Sequence, residues 1–161
     1  MVNPIYPNHL FDMPSTYAAC SQIINPVCGP HMTKMTETYY GCTNIINPIC
    51  GPNVTNMTKT YSNCYNIKTA ICGPNVTIMN GTYANCINLT TPVCPSTVTH
   101  LTNTYRGCTN LTYATVGLNV VSMYGAYEGC KNITEAICRP KIVNMSNAYA
   151  GCSNISNAVC G

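Results

Sequence analysis

Cysteine recurs every 22 residues along this chain. It stands at Cys20, Cys42, Cys64, Cys86, Cys108, Cys130 and Cys152, with no insertion between copies. A second series falls eight residues later, at Cys28, Cys50, Cys72, Cys94, Cys138 and Cys160, and its one gap is Val116. A fixed period in this range marks a solenoid: each repeat is one coil that cannot bury its apolar side alone, so coils stack and share a core. The chain reads as one solenoid over residues 1–161, with a partial first coil over 1–16, regular repeats over 17–161 and an incomplete last one. The period leaves no room for a second domain.

Other columns describe the coil. Tyr precedes the first Cys by three residues in every row: Tyr17, Tyr39, Tyr61, Tyr83, Tyr105, Tyr127, Tyr149. A small residue precedes that Tyr, as at Thr38, Thr60 and Ala126. An amide follows the Cys by two (Gln22, Asn44, Asn66, Asn88, Asn110, Asn132, Asn154), and an aliphatic residue follows the amide. Two further apolar columns run through Val54 and Met57, and Gly-Pro corners such as Gly51-Pro52 punctuate the rows. No segment keeps a 3.6-residue apolar period. The expectation is short strands and turns, with a turn of 3₁₀ helix around each Tyr–Cys pair and little or no α-helix.

Composition narrows the function classes. Nearly half the chain is apolar, only 7% is charged, and the net charge of +3 is scattered over residues such as Lys34, Lys59 and Lys131. No basic run exists, so nucleic-acid binding is not expected. No stretch of 18 apolar residues exists, so no membrane span is expected, and the N-terminus lacks the pattern of a secretion signal.

The frame Ala/Thr-Tyr-x-x-Cys-x-Asn-Ile-x-x-Ala-Val-Cys-x-Pro-x-Val-x-x-Met resembles the Treponema-type, or BspA-like, leucine-rich repeat, in which a small residue and Phe, a Cys, a Leu, then Val-x-Ile-Pro and Val-x-x-Ile keep the same order. The repeat here is one residue shorter than the commoner form, Tyr stands for Phe, and the inward Ile before Pro is Cys. The resemblance implies a leucine-rich-repeat solenoid with a parallel sheet on one face. It also implies an adhesion or recognition module of a cell surface or virus particle; no enzyme activity and no cofactor are expected.

The hallmark strand then runs from Ile133 through Ala136 to Cys138. Strand neighbours point to opposite faces. If Ile133, Ala136 and Cys138 point in, the outward column is Ile5, Val27, Ile49, Ile71, Val93, Thr115, Ile137 and Val159. At ~4.8 Å per strand this is an apolar ridge ~34 Å long. It reads either as good strand formers or as a contact stripe on a solvated sheet. Lys68, Tyr113, Thr115 and Glu135 break the regularity beside it. Pro26, Pro48 and Pro92 cannot donate to the ladder, so pairing there is expected to be incomplete.

Both cysteine series occupy places where such repeats bury apolar side chains, and Val116 replaces one of them, so buried thiols are expected. Disulfides between stacked neighbours are the alternative, since rung spacing fits their Cα range. With no Cys-x-x-Cys, no metal site is expected. The amide column is expected to stack at a buried turn, and the Tyr column to wedge into the core with its hydroxyls at the edge. The acids Asp12, Glu37, Glu128 and Glu135 and the histidines His9, His31 and His100 form no catalytic pattern. Glu37 and Lys59 lie one coil apart, an expected surface ion pair.

Two functions remain. The sheet face can hold a protein or glycan on another surface. Alternatively, open edges at Val2 and Ile5 and at Val159 and Cys160 can join copies of the chain head to tail, as in an extracellular fibre or virus particle.

Overall fold

The computed structural model describes Pro4, Tyr6 and residues 9–161. Val2 and Ile5 lie outside the described residues. The coils stack as the period requires. Backbone groups of one coil bond those of the next at a constant offset, as in Met57 N–H to the Ile78 carbonyl at 3.0 Å and Met79 N–H to the His100 carbonyl at 3.1 Å. The core is a set of columns: Tyr39 to Tyr127, Cys42 to Cys130, Ile45 to Ile133 and Met35 to Met123 are all buried. Among the described residues there is no α-helix.

Strand pairing is thin and divided between two sides. On the hallmark side, β1 (Glu135–Cys138) and β2 (Asn157–Cys160) pair in parallel, with Ile137 opposite Val159. Lower in the stack that side holds single parallel bridges at Val27–Ile49 and Thr69–Thr91. Proline explains much of this. Ala70 N–H donates to the Thr91 carbonyl at 2.9 Å, and the equivalent donor is missing at Pro26, Pro48 and Pro92. A second, uninterrupted column of parallel bridges runs from Asp12 through Lys34, Asn56, Ile78, His100 and Ser122 to Asn144. The threonines beside it lengthen the ladder: Thr55 and Thr77 Oγ1 donate to the Thr33 and Thr55 carbonyls.

The third side is made of turns. Each coil carries successive three-residue bonds, as in Tyr40 N–H to Glu37 O and Cys42 N–H to Tyr39 O. A continuous 3₁₀ turn does not form, because two residues per coil take positive φ. One column is Ser15, Glu37, Lys59, Gly81, Asn103, Gly125 and Asn147; the other is Ala19, Gly41, Asn63, Asn85, Gly107, Gly129 and Gly151. The reversals aim alternate N–H groups along the stack, so Gly41 donates to the Ser62 carbonyl and Asn63 to the Ala84 carbonyl, both at 2.8 Å.

Small buried donors close the hydrogen-bond account at this turn. Thr60, Thr82 and Thr104 Oγ1 each reach a Met carbonyl one coil below at 2.7 Å. The first cysteine series does the same with sulfur: Cys64, Cys86 and Cys108 thiols donate to the carbonyls of Tyr39, Tyr61 and Tyr83 at 3.0–3.2 Å. Cys is favoured over Val here because it is small, apolar and still a donor.

Candidate functional site

The tyrosine column sets the shape of the sheet face. Its rings stack with centroids 5.3–5.8 Å apart from Tyr17 to Tyr149. From Tyr83 upward each hydroxyl takes both backbone groups of an outward-column residue. Tyr105 Oη accepts from Val93 N–H at 3.0 Å and donates to the Val93 carbonyl at 2.6 Å. Tyr83, Tyr127 and Tyr149 do the same at Ile71, Thr115 and Ile137.

Lower down the pattern changes. Ile49 N–H donates to the Pro26 carbonyl and Ile49 O accepts from Cys28 N–H. With those groups used, the Tyr61 hydroxyl is buried without a partner, and the Tyr39 hydroxyl one coil below is buried without one as well.

The expected ridge follows this division. Val27 and Ile49 are 47% and 54% exposed, and Val159 is 40% exposed. Ile71, Val93, Thr115 and Ile137 are half-buried. Among the described residues the outward column therefore stands proud at Val27, Ile49 and Val159 and is half-buried between them. Beside it Lys68 and Tyr113 are exposed and Glu135 is half-buried, accepting a bond from Asn157 Nδ2 at 2.8 Å. Cys160 lies in β2, bonded to Cys138 in a disulfide. The neighbour disulfide is thus realised there, while eleven other cysteines are free thiols.

The amide column is corrected by the structure. Asn44, Asn66, Asn110, Asn132 and Asn154 are exposed, not enclosed in a buried turn. They still bridge coils: Asn44 Nδ2 reaches the Ser21 carbonyl at 2.8 Å and Asn132 Nδ2 the Thr109 carbonyl at 3.0 Å. A second amide ladder, not foreseen, ties the corners: Asn53, Asn75 and Asn119 each donate to a carbonyl of the coil below at 2.8 Å.

On the turn face lies a polar groove of about 570 Å³ that sequence reasoning missed. Its floor is Ser62, Gly81 and Ala84, and its rim carries Tyr40, Asn63, Asn85 and Arg106. The expected Lys59–Glu37 pair forms at 3.0 Å on one side, and Arg106 pairs with Glu128 at 3.1 Å on the other. The Lys59 hydrogen bond holds the Glu37 carboxyl below its ordinary value.

The chemistry of the thiols points away from a nucleophile. Burial pushes Cys42 and Cys50 up to about 11, and Cys72 and Cys130 up to about 12. A reactive cysteine needs its pKa lowered. Among the described residues no three metal-ligating side chains gather, and no helix is long and apolar enough to cross a membrane.

Comparison with known proteins agrees with this architecture. The family described as BspA type leucine rich repeat region matches residues 14–112 and 76–160, in six copies. A leucine rich repeat protein from T. pallidum superposes with a TM-score of 0.75 at 15% identity, over 91% of this chain and 72% of that one. A leucine rich cell surface protein from Faecalibacterium prausnitzii superposes with a TM-score of 0.54 at 12% identity, over 93% of this chain and 62% of that one. No curated protein matches the chain in sequence.

Proposed function

Because the chain belongs to the BspA-type leucine-rich repeat family, we propose that it is a non-enzymatic recognition module of a cell surface or virus particle, which holds a partner against its sheet face. The observation that carries this reading is the exposed pair Val27–Ile49 on a rigid, stacked backbone. An apolar patch held out of the core on a face bordered by Asn47, Thr69 and Thr91 suits the desolvated centre of a contact with a polar rim. The neighbour described as a cell surface protein supports the location.

The test is binding of the labelled chain to an array of extracellular-matrix proteins and glycans, with Ile49→Asp in parallel. The expected result is saturable binding to a protein on the array, weakened at least about tenfold by the substitution. Binding that ignores Ile49→Asp, or no saturable binding at all, overturns the sheet-face reading.

Self-assembly has one observation in its favour. β2 is exposed at every residue and pairs, among the described residues, only with β1. Such an edge accepts a further strand, from a longer chain or from a second copy. Light scattering over a dilution series separates the two functions, since growth with concentration favours assembly.

A further inference from the structure

The turn-face groove results from a local loss of side chains, and its walls come from the same columns that elsewhere fill it. The position after each core Tyr reads Tyr40, Ser62, Ala84, Arg106 and Glu128 in successive coils. Two small residues therefore sit between an aromatic wall and an arginine wall. The neighbouring positive-φ position drops from Lys59 to Gly81 at the same level and returns at Asn103. The distance between the walls is three coil steps, ~14 Å at ~4.8 Å per step.

The lining is rich in groups that both donate and accept. Asn85 Nδ2 bonds Asn63 Oδ1 at 2.9 Å, and both residues line the groove, with donor and acceptor capacity beyond that one bond. Thr58, Thr102 and Asn103 add to them. Asn80 lines the groove as well, and its Oδ1 is shut from water with no hydrogen-bond partner. Buried acceptors are rarely left in that state.

The charge balance decides the ligand class. Lys59 and Arg106 are the two cations of the lining, and each is already neutralised by a carboxylate outside it. An anion would have to break those pairs or share them. A neutral ligand keeps both and uses the amides and hydroxyls. Tyr40 is 40% exposed at one wall and offers the flat face on which a sugar ring packs its C–H bonds.

We propose that this groove binds a neutral oligosaccharide, stacked on Tyr40 and hydrogen-bonded along the Asn63–Asn85 ladder toward Asn103. This site is separate from the sheet-face contact and does not depend on Val27 or Ile49.

Titration of the ¹⁵N-labelled chain with maltotriose, cellotriose, chitotriose and mannotriose, and with a sulfated heparin tetrasaccharide, tests it. The probes run to about 10 mM, where even a weak site registers. The expected result is a saturable shift of the Asn63, Asn85 and Asn103 side-chain amide signals with at least one neutral sugar. Ala84→Tyr is expected to abolish it by filling the floor, and the coil accepts Tyr there because Tyr40 holds the equivalent position one coil step beyond Ser62. Tyr40→Ala is expected to weaken binding about tenfold, while Val143→Ser, far from the groove, is expected to leave it unchanged. No shift with any neutral sugar, shifts confined to other residues, binding of the sulfated probe alone, or binding retained by a folded Ala84→Tyr chain each overturns the proposal.

Discussion

The lower and upper coils of this stack share a sequence frame yet settle the same backbone groups differently. At Ile49 the outward-column N–H and carbonyl are satisfied by the neighbouring coil, and the hydroxyls of Tyr39 and Tyr61 are left buried and idle. At Ile71, Val93, Thr115 and Ile137 a tyrosine hydroxyl takes both groups, and the outward side chain sits half-buried. The upper solution gives every tyrosine hydroxyl two partners, while the lower one leaves two hydroxyls buried and idle. A repeat thus fixes which atoms are available in each coil without fixing which of them meet.

The strongest way to break this comparison is to remove a ring. Tyr105→Ala deletes a fully buried side chain and also orphans the backbone of Val93. The expected loss is about 3–5 kcal/mol, read from urea denaturation. Tyr149→Ala should cost less, since that ring is only half-buried at the end of the stack. Equal losses would mean that the rings matter for contact area and not for enclosure.

Next in size is the cross-link between the last two coils. Cys138 and Cys160 enclose a loop of 22 residues, and closing a loop of that length is worth about 3 kcal/mol in the chain-entropy account. Reduction should speed amide exchange in β1 and β2 and leave the Val27–Ile49 level unchanged. Alkylation of the denatured chain should modify eleven cysteines before reduction and thirteen after it.

Tyr→Phe exchanges sharpen the comparison directly. Tyr105→Phe leaves the Val93 N–H and carbonyl without partners and is expected to cost about 1–3 kcal/mol. Tyr61→Phe removes a buried hydroxyl that bonds nothing, so the change should fall within about 0.5 kcal/mol of zero or be stabilising. Equal costs at both sites would show that the lower hydroxyls do have partners and that the two halves are alike.

How much of this could be read in advance depends on whether a feature belongs to one coil or to several. The coil period, the apolar columns and the Tyr stack follow from spacing alone, and all three stand in the structure. Most of the second positive-φ column was also readable: all its members but Ala19 are Gly or Asn, the two residue types that enter that region most easily. The first column was readable only in its upper part, at Gly81, Asn103, Gly125 and Asn147, because Ser15, Glu37 and Lys59 carry no such signal. The burial of the amide column was misjudged: Asn44 and its fellows are exposed and bridge coils from the surface. The groove was hidden differently. Ser62, Gly81 and Ala84 are unremarkable in their own rows and form a floor only when two successive coils are laid side by side. The outward column was legible as a column, but not that Ile71, Val93, Thr115 and Ile137 sit half-buried where a tyrosine hydroxyl holds their backbone, and no residue type records that.

The smallest expected effect concerns the ion pair that borders the groove. Lys59 bonds Glu37 at 3.0 Å, and both side chains are well exposed, so solvent screening limits the pair to under about 1 kcal/mol. Its sign with pH is fixed. Glu37 has its pKa lowered in the folded chain from an ordinary value of 4.5, chiefly by the Lys59 hydrogen bond. A lowered carboxyl pKa adds stability that is fully present above the unfolded value and disappears as pH falls through the folded one. Lys59→Gln should therefore unfold at slightly lower urea than the parent chain at pH 7. The two midpoints should converge as acid protonates Glu37, and raising the salt at pH 7 should narrow the gap as well. A gap that survives both treatments would assign the effect to the backbone at Lys59, whose φ is 50°, and would make the positive-φ columns, not the charges beside them, the sensitive part of the turn face.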